Sequence, residues 1–359
     1  MKAKKWMTIF LLLTGGAFLL TALLTAALDP FFVYRAPRKD FYYTLSNERA
    51  QNAGIVRHFS YDALITGTSM TQNFRTGEAE ALFGGSFVKV SFSGATFKER
   101  ADLLRLALDE GEVRLVISDA YDVSGSFLQD KDYLQEGFDY PAYLYNDNPL
   151  DDVKYLLNRD VLAQYVVPMI ARRVEGGAGG ITPFDGYGAW AKEDDVYGRE
   201  AFSDLSFLQN DVPQEALTEE ERQTVRDNVE QNLLAVARAH PETTFYYFIP
   251  PYSVIYRGMQ YGRGELVKQI EAEEEAVRML LGEDNIRLYS FAADARITCD
   301  LANYKDMGHY GPRINTRILE AMATDDAAYR ITAQNAEAYI RSLSDLYLHY
   351  NYEELREMP

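Results

Sequence analysis

The sequence predicts an α/β fold with three layers, in which a parallel five-stranded sheet carries helices on both faces. Short apolar runs rich in β-branched and aromatic residues alternate with segments of helical periodicity. The 359 residues, 47% of them hydrophobic, are enough to form one large core. An uncharged stretch near the start adds one N-terminal transmembrane helix. The five predicted strands are residues 62–67, 86–92, 113–118, 244–249 and 286–291.

The uncharged stretch runs from Trp6 to Leu28 and follows three lysines within the first five residues. A helix needs about 20 apolar residues to cross a bilayer, whereas the core of a signal peptide has about 7–15. The cleavage site near Thr25-Ala26-Ala27 is weak, because threonine stands where alanine is preferred. We therefore expect an uncleaved signal anchor over residues 1–28, with a cleaved signal peptide as the alternative.

Positive charges lie on both sides of this stretch, because Arg35, Arg38 and Lys39 follow it. The tighter cluster of lysines at the amino terminus favours an amino terminus inside the cytoplasm. We expect a single-pass protein of the cell membrane with an extracytoplasmic body. A cytoplasm-facing domain is the alternative.

Residues 29–60 are predicted to form a juxtamembrane connector, and residues 61–359 the α/β domain. Residues from about 123 to 213 are too many for a simple connection between the third and fourth strands, which indicates an inserted cap. Helical patterns cover residues 98–109, 150–174, 218–240, 264–281 and 330–355. Aromatic residues of the cap could line a substrate groove or form a small satellite core; they are Tyr140, Tyr143, Tyr145, Phe184, Tyr187, Trp190 and Tyr197.

Composition argues against several classes of function. A net charge of −18 would repel a polyanionic backbone, so we expect no nucleic-acid partner. The single cysteine, Cys299, rules out an internal disulfide and a cysteine-based zinc cluster. No pair of the four histidines has metal-ligand spacing, and no glycine-rich phosphate loop follows a strand. We expect neither a metal nor another cofactor.

A serine lies directly after the first predicted strand, in the segment Gly67-Thr68-Ser69. In an open parallel sheet, ligands bind beyond the carboxyl ends of the strands. Gly67 permits a tight turn there, and backbone N–H groups at a helix start can stabilise a developing oxyanion. Ser69 is therefore a candidate nucleophile. The alternative is that Ser69 or Thr68 only caps the following helix.

An aspartate and a histidine three residues apart follow the fifth strand, in the segment Asp306-Met307-Gly308-His309. His309 could deprotonate Ser69 and later protonate the leaving group, while Asp306 orients the imidazole. The alternative is a loop histidine beside an aspartate that caps a turn.

The order of these segments along the chain resembles the SGNH (GDSL-type) hydrolase superfamily, over roughly residues 61–323. A serine follows the first strand, Gly94 follows the second, and the Asp-x-x-His segment follows the fifth. The resemblance implies a flavodoxin-like fold with Ser69 as nucleophile and Asp306 and His309 completing the triad. It also implies that the backbone N–H groups of Ser69 and Gly94 bind the oxyanion.

Two positions depart from the family pattern. The family usually has aspartate before the serine, where this chain has Thr68. It also supplies an asparagine after the third strand, where this chain reads Ser118-Asp119-Ala120-Tyr121-Asp122. One oxyanion donor is thus absent or comes from elsewhere, and losing one such donor lowers rates by about 10²–10³.

The single N-terminal span makes the architecture similar to extracytoplasmic SGNH-like proteins of Gram-positive bacteria, which act in teichoic acid D-alanylation and polysaccharide O-acetylation. This likeness implies a membrane-anchored serine esterase or O-acyltransferase acting on cell-envelope glycan or teichoic acid. The second hypothesis is a non-catalytic binding or scaffold protein that assists a membrane acyltransferase. The missing asparagine favours the second hypothesis.

Overall fold

A computed structural model of the chain describes residues 2–121, 126–134, 140–192 and 194–357. The chain divides into two compact units. Unit 1 consists of residues 1–60 and 139–183, and unit 2 consists of residues 61–138 and 184–359. The predicted start of the inserted cap, at about residue 123, lies outside the described residues, as does Asp122.

Helices occur in both units and are numbered along the chain. The middle segments of α7 and α8 are π-helical. The helices are α1 (Lys2–Leu28), α2 (Glu48–His58), α3 (Ser69–Gln72), α4 (Thr76–Phe83), α5 (Phe97–Glu110), α6 (Val153–Leu156), α7 (Arg159–Val161, Leu162–Val166 and Val167–Val174), α8 (Glu219–Val229, Glu230–Leu234 and Ala235–Ala239), α9 (Val254–Gly262), α10 (Leu266–Leu280), α11 (Ala295–Thr298), α12 (Pro312–Ala323), α13 (Ala336–Leu348) and α14 (Glu354–Glu357). Single 3₁₀ turns cover Ser126–Leu128, Ala142–Leu144, Arg199–Ala201 and Leu301–Asn303.

Unit 1 is built around the carboxyl end of α1. Thr25 and Leu28, in the last two turns of this helix, are buried. The Leu28 carbonyl oxygen accepts a hydrogen bond from the Tyr43 hydroxyl at 2.9 Å. Asp29, also buried, accepts one from the Tyr155 hydroxyl at 2.9 Å and caps the turn that follows. The end of α1 is therefore part of the folded unit. A short parallel ladder completes the unit and joins Tyr42–Tyr43 to Gly180–Ile181.

The rest of α1 is exposed and apolar. The most apolar 18-residue window of Ala3–Leu28 has a mean hydropathy of 2.2, and none of its residues is buried. The helix is long and apolar enough to cross a membrane, a property that it shares with signal sequences.

Unit 2 is built on a six-stranded sheet with strands β1 to β6, numbered along the chain. The first five strands pair in parallel, and β6 pairs antiparallel to β5. The sheet therefore has one strand more than predicted, and it is not parallel throughout. The sixth strand has only two residues, which is too short for a periodic signal in the sequence. The strands are Ala63–Thr66, Phe87–Lys89, Leu115–Asp119, Thr244–Ile249, Ile286–Ser290 and Arg330–Ile331.

The strands are arranged in the order β2-β1-β3-β4-β5-β6. For the first five, this is the 2-1-3-4-5 order of doubly wound sheets, whose direction of winding reverses between β1 and β3. With right-handed crossovers, α4 lies on one face and α5, α8 and α10 lie on the other. Helix contacts agree, because α4 packs with α12, and α8 packs with both α5 and α10. The reversal places the carboxyl ends of β1 and β3 next to a ligand-binding crevice.

Two predicted helices differ in the structure. The segment 150–174 is interrupted around Leu157 and Asn158, where the Asn158 side chain accepts the first N–H groups of α7 at 2.8 and 3.2 Å. The segment 330–355 begins as strand β6 and becomes helical only at Ala336. In between, the Asn335 side chain accepts the Thr332 N–H at 2.8 Å, a local turn that competes with helix formation.

Candidate active site

Gly67 fixes the turn between β1 and α3. Its φ of +131° lies in a region that side-chain-bearing residues rarely adopt. A Cβ atom at this position would come within 1.9 Å of the Asp119 Oδ1 atom. Only glycine allows this approach, and the turn brings Ser69 to the first residue of α3. The Ser69 side chain is partly exposed beside neighbours that are almost all buried.

Asp119, at the end of β3, holds this turn from the neighbouring strand. Its carboxylate accepts hydrogen bonds from the Thr68 N–H at 2.8 Å and the Thr68 hydroxyl at 3.1 Å. The carboxylate also pairs with Arg100 of α5, whose Nη1 atom lies 3.3 Å from Oδ2. Asp119 and Arg100 are both buried, at 0% and 3% of side-chain exposure. The orientation of the Ser69 turn thus depends on a buried ion pair, which the sequence did not reveal.

The loop that carries His309 is closed by its own hydrogen bonds. Asp306 Oδ1 accepts the N–H groups of Gly308 at 2.9 Å and His309 at 2.7 Å. The Met307 carbonyl oxygen accepts the hydroxyl of Ser253, at the start of α9, at 2.8 Å. Asp306 therefore positions the backbone of His309 as well as its ring.

The two predicted segments meet in the structure. Ser69 Oγ lies 2.8 Å from His309 Nε2, and His309 Nδ1 lies 2.8 Å from Asp306 Oδ2. Burial raises the pKa of Asp306, but the hydrogen bond and charge of His309, with the backbone N–H groups, leave that pKa below its ordinary value. Asp306 is therefore a carboxylate near neutral pH, and it accepts a hydrogen bond from the Nδ1–H of the imidazole. Nε2 is then free to accept the Ser69 hydroxyl proton.

Trp190, in the segment that was predicted to be a cap, contacts both Ser69 and His309. Its indole N–H donates to the Ser69 carbonyl oxygen at 2.8 Å. Its ring packs edge to face against His309, with the ring centroids 4.8 Å apart. The Asn73 side chain, at the end of α3, accepts the Trp190 backbone N–H at 3.1 Å. Trp190 is thus fixed at both ends of α3 and restricts the movement of the imidazole.

The ammonium group of Lys305, which is paired with Asp195, lies over the Trp190 ring. Lys305 Nζ is 4.5 Å from the ring centroid and 3.1 Å from both carboxylate oxygens of Asp195. The Lys192 N–H and the Lys305 ammonium lower the pKa of Asp195. Since Asp195 already balances Lys305, the pair supports Trp190 without adding net charge to the site.

The two predicted oxyanion donors are the backbone N–H groups of Ser69 and Gly94. The Ser69 N–H lies at the start of α3. Gly94 lies in a turn after β2 with a φ of +59°, and the Phe92 N–H donates to the Gly67 carbonyl oxygen at 2.9 Å. Gly94 is therefore at the sheet edge that holds Ser69. After β3, Tyr121 is fully buried and its hydroxyl lies 3.5 Å from the Gln269 side chain, so it does not replace the missing asparagine.

Of the predicted groove aromatics in unit 2, Tyr197 also lies near the triad loop. A Cβ atom on Gly311 would lie 3.3 Å from its ring. Burial, and then the charges of Asp195 and Asp306, raise the pKa of Tyr197, so its phenol is neutral near pH 7. Among the residues that the structure describes, no group of three His, Cys, Asp or Glu side chains is arranged to hold a metal ion.

Comparisons with known proteins give little further information. No family model and no curated protein matches this chain. One solved structure, described provisionally as a platelet activating factor from Streptococcus pneumonia, is 11% identical, with 79% of this chain and 91% of that chain covered. Its TM-score is 0.37, at which the likeness carries no argument about fold or chemistry.

Proposed function

We propose that this chain is a membrane-anchored serine esterase or O-acyltransferase with a flavodoxin-like SGNH fold. The observation that carries the proposal is the continuous pair of 2.8 Å contacts from Ser69 through His309 to Asp306. Ser69 and His309 lie 240 positions apart in sequence, and they meet at the carboxyl end of β1, where ligands of such sheets bind.

The chemistry follows from this geometry. His309 Nε2 takes the Ser69 proton as Oγ attacks the carbonyl carbon of an ester, and the N–H groups of Ser69 and Gly94 receive the oxyanion. The protonated imidazole then gives its proton to the leaving alkoxide, which departs and leaves an acyl-enzyme. In the second half, His309 deprotonates water or an acceptor hydroxyl, which attacks the acyl group and releases Ser69.

The acceptor that we propose is a hydroxyl of cell-envelope glycan or teichoic acid, and the partner that we propose is a membrane acyltransferase. This part rests on the resemblance of the ordered segments and on the apolar α1. Burial of Thr25 and Leu28 in unit 1 favours an uncleaved anchor, because cleavage near Thr25 would remove a helix end that the unit is built on. We propose that unit 2 lies outside the cytoplasm.

A non-catalytic binding or scaffold role is the second candidate. The observation in its favour concerns the end of β3 and the residues that follow it. Asp119 and Tyr121 are both fully buried there, and the sequence has no asparagine in this segment. A site with one oxyanion donor fewer would be slow, by about 10²–10³.

Labelling with a fluorophosphonate probe tests the proposal, using the full chain in detergent micelles. We expect labelling of the wild type that is lost in Ser69→Ala and in His309→Ala. Ser342→Ala is the control, because that serine lies on the exposed side of α13 and bonds only within its helix. Labelling that persists in Ser69→Ala, or a folded wild type that is not labelled, would favour the scaffold.

A further inference from the structure

Unit 1 exposes apolar side chains that its own core does not use. Outside α1, five of the ten exposed large apolar side chains among the described residues fall within residues 150–174. They are between 38% and 81% exposed and are Leu150, Val153, Leu157, Val167 and Val174. Isolated exposed apolar residues are ordinary, but this concentration in 25 residues indicates a contact surface.

The exposed residues lie on and around the two helices. Leu150 lies in the turn before α6, Val153 is the first residue of α6, and Leu157 directly follows its last residue. On α7, the exposed apolar positions are 163, 167, 171 and 174, whereas Val166 and Met169 point into the core of the unit. Helix α7 therefore has a buried apolar face and an exposed apolar stripe, and α6 with its flanking residues exposes a second apolar set. We refer to the two sets of exposed residues as the α6 stripe and the α7 stripe.

Both elements pack against α1 at its carboxyl end. Helix α1 contacts α6 and the π-helical part of α7. The Phe31 ring, just after α1, lies 5.5 Å from the Tyr155 ring of α6 and 4.9 Å from the Tyr165 ring of α7. Twenty residues from Trp6, about the length that a bilayer core requires, end at Thr25, where α1 becomes buried in unit 1. The stripes thus lie beside the point where α1 would leave the hydrocarbon.

Charge also favours this unit over the other as the one beside lipid. Without the three lysines before the span, unit 1 holds nine Lys and Arg and nine Asp and Glu. Unit 2 holds 24 against 45, a net charge of −21. An anionic membrane surface would repel unit 2 and leave unit 1 free to approach.

We propose that the α6 and α7 stripes lie in the headgroup layer of the bilayer that α1 spans. The contact would use the stripes as interfacial amphipathic helices do, with apolar residues entering the acyl boundary. It would add a second membrane attachment to α1 and fix the orientation of unit 1 on the surface. The inference rests on the anchoring role of α1 in the proposed function, and not on catalysis.

Site-directed fluorescence tests this contact in the full chain. Cys299→Ser removes the only native thiol, and single cysteines replace Val167, Val153 or Leu82, each labelled with an NBD dye. Leu82 is the matched control, because it is an exposed apolar side chain of unit 2. The protein is placed in phosphatidylcholine nanodiscs at one copy per disc, with or without lipids that carry a nitroxide in the headgroup.

We expect the nitroxide to quench the dye at 167 and 153 at least twofold more than at 82. Equal quenching at all three positions would overturn the inference. So would a blue shift of the dye emission at 167 that appears only in larger vesicles with many copies and without extra quenching, since the stripes would then bind a second chain. A fourth label at Leu13, tested with an acyl-chain nitroxide, reports α1 itself: no quenching there would contradict the anchor, whereas quenching there alone would contradict only the stripe contact.

Discussion

Asp306→Asn is the substitution that tests the triad most directly. In the structure, Asp306 Oδ1 accepts two backbone N–H groups and Oδ2 accepts His309 Nδ1. An asparagine can keep the two backbone hydrogen bonds through its amide oxygen. Its NH₂ group then faces Nδ1 and donates to it. The imidazole proton must move to Nε2, where it blocks acceptance of the Ser69 proton.

The size of the loss follows from two contributions. The change of tautomer lowers the rate by up to about 10⁴, which corresponds to about 5.5 kcal/mol of activation free energy, and solvent screening does not reduce this effect. The loss of the carboxylate charge beside the imidazolium adds less, because the Asp306 side chain is 48% exposed and water screens it. We expect a decrease of about 10³–10⁴ in kcat/KM. The melting temperature should change little, because the loop keeps its backbone hydrogen bonds.

The assay is the rate constant of fluorophosphonate labelling, together with hydrolysis of p-nitrophenyl acetate. Asp300→Asn is the matched control, because Asp300 caps a nearby 3₁₀ turn through its side chain, and asparagine caps equally well. We expect the control to stay within about twofold of the wild type. If Asp306→Asn kept more than a tenth of wild-type activity, Asp306 would not orient a catalytic base.

Three further substitutions test the surroundings of the site and the pH dependence of stability. Asp119→Asn should lower the free energy of unfolding by about 3–5 kcal/mol, because it leaves Arg100 buried without a counter-charge. Adding Arg100→Met should restore at least half of that loss. Chemical denaturation measures both changes, and no recovery in the double variant would contradict the ion-pair explanation. Trp190→Phe keeps an aromatic ring but loses the N–H that binds the Ser69 carbonyl oxygen. We expect kcat to fall about tenfold while KM stays within twofold of the wild type. A rise in KM with no change in kcat would mean that the ring only contacts substrate. Glu221 binds a lysine and caps α8, and these bonds lower its pKa to about 2 from an ordinary 4.5. The stability that ionised Glu221 contributes is therefore complete above pH 4.5 and lost as the pH falls to 2. The free energy of unfolding of the wild type should exceed that of Glu221→Gln by about 1 kcal/mol at pH 7 and equal it at pH 2. A difference that does not change with pH would refute the role given to Glu221.

The residues that meet in the site could be predicted because their signals are local. Ser69 follows a short apolar strand with a glycine two residues before it, and Asp306 and His309 share one loop after another strand. The carboxyl ends of parallel strands lie at one edge of a sheet, so the order of these segments predicted that they converge. This prediction depended only on the order of strands and helices along the chain. The wrong number of strands did not affect it, because β6 lies at the edge of the sheet away from β1.

Trp190 and the Asp119–Arg100 pair could not be assigned roles in the same way. Trp190 was one of seven aromatics in a long segment, and nothing in its neighbours indicates that its indole reaches Ser69, 121 residues away. Arg100 looks like an ordinary charged residue of an amphipathic helix, yet it is 3% exposed. Such residues act through side-chain contacts across elements, and these contacts leave no periodicity in the sequence.

The contacts of Asp119 also give a physical reason for a threonine at position 68. The N–H and hydroxyl of Thr68 both donate to the Asp119 carboxylate, and both residues are buried. An aspartate at position 68 would place a second carboxylate against the first. Two buried carboxylates at this distance cannot both ionise, and one would have to hold a proton. Threonine before the serine and aspartate at the end of β3 are therefore a matched pair of donor and acceptor. The carboxylate that supports the turn therefore lies on the neighbouring strand β3, and the Ser69–His309 contact is in place beside it.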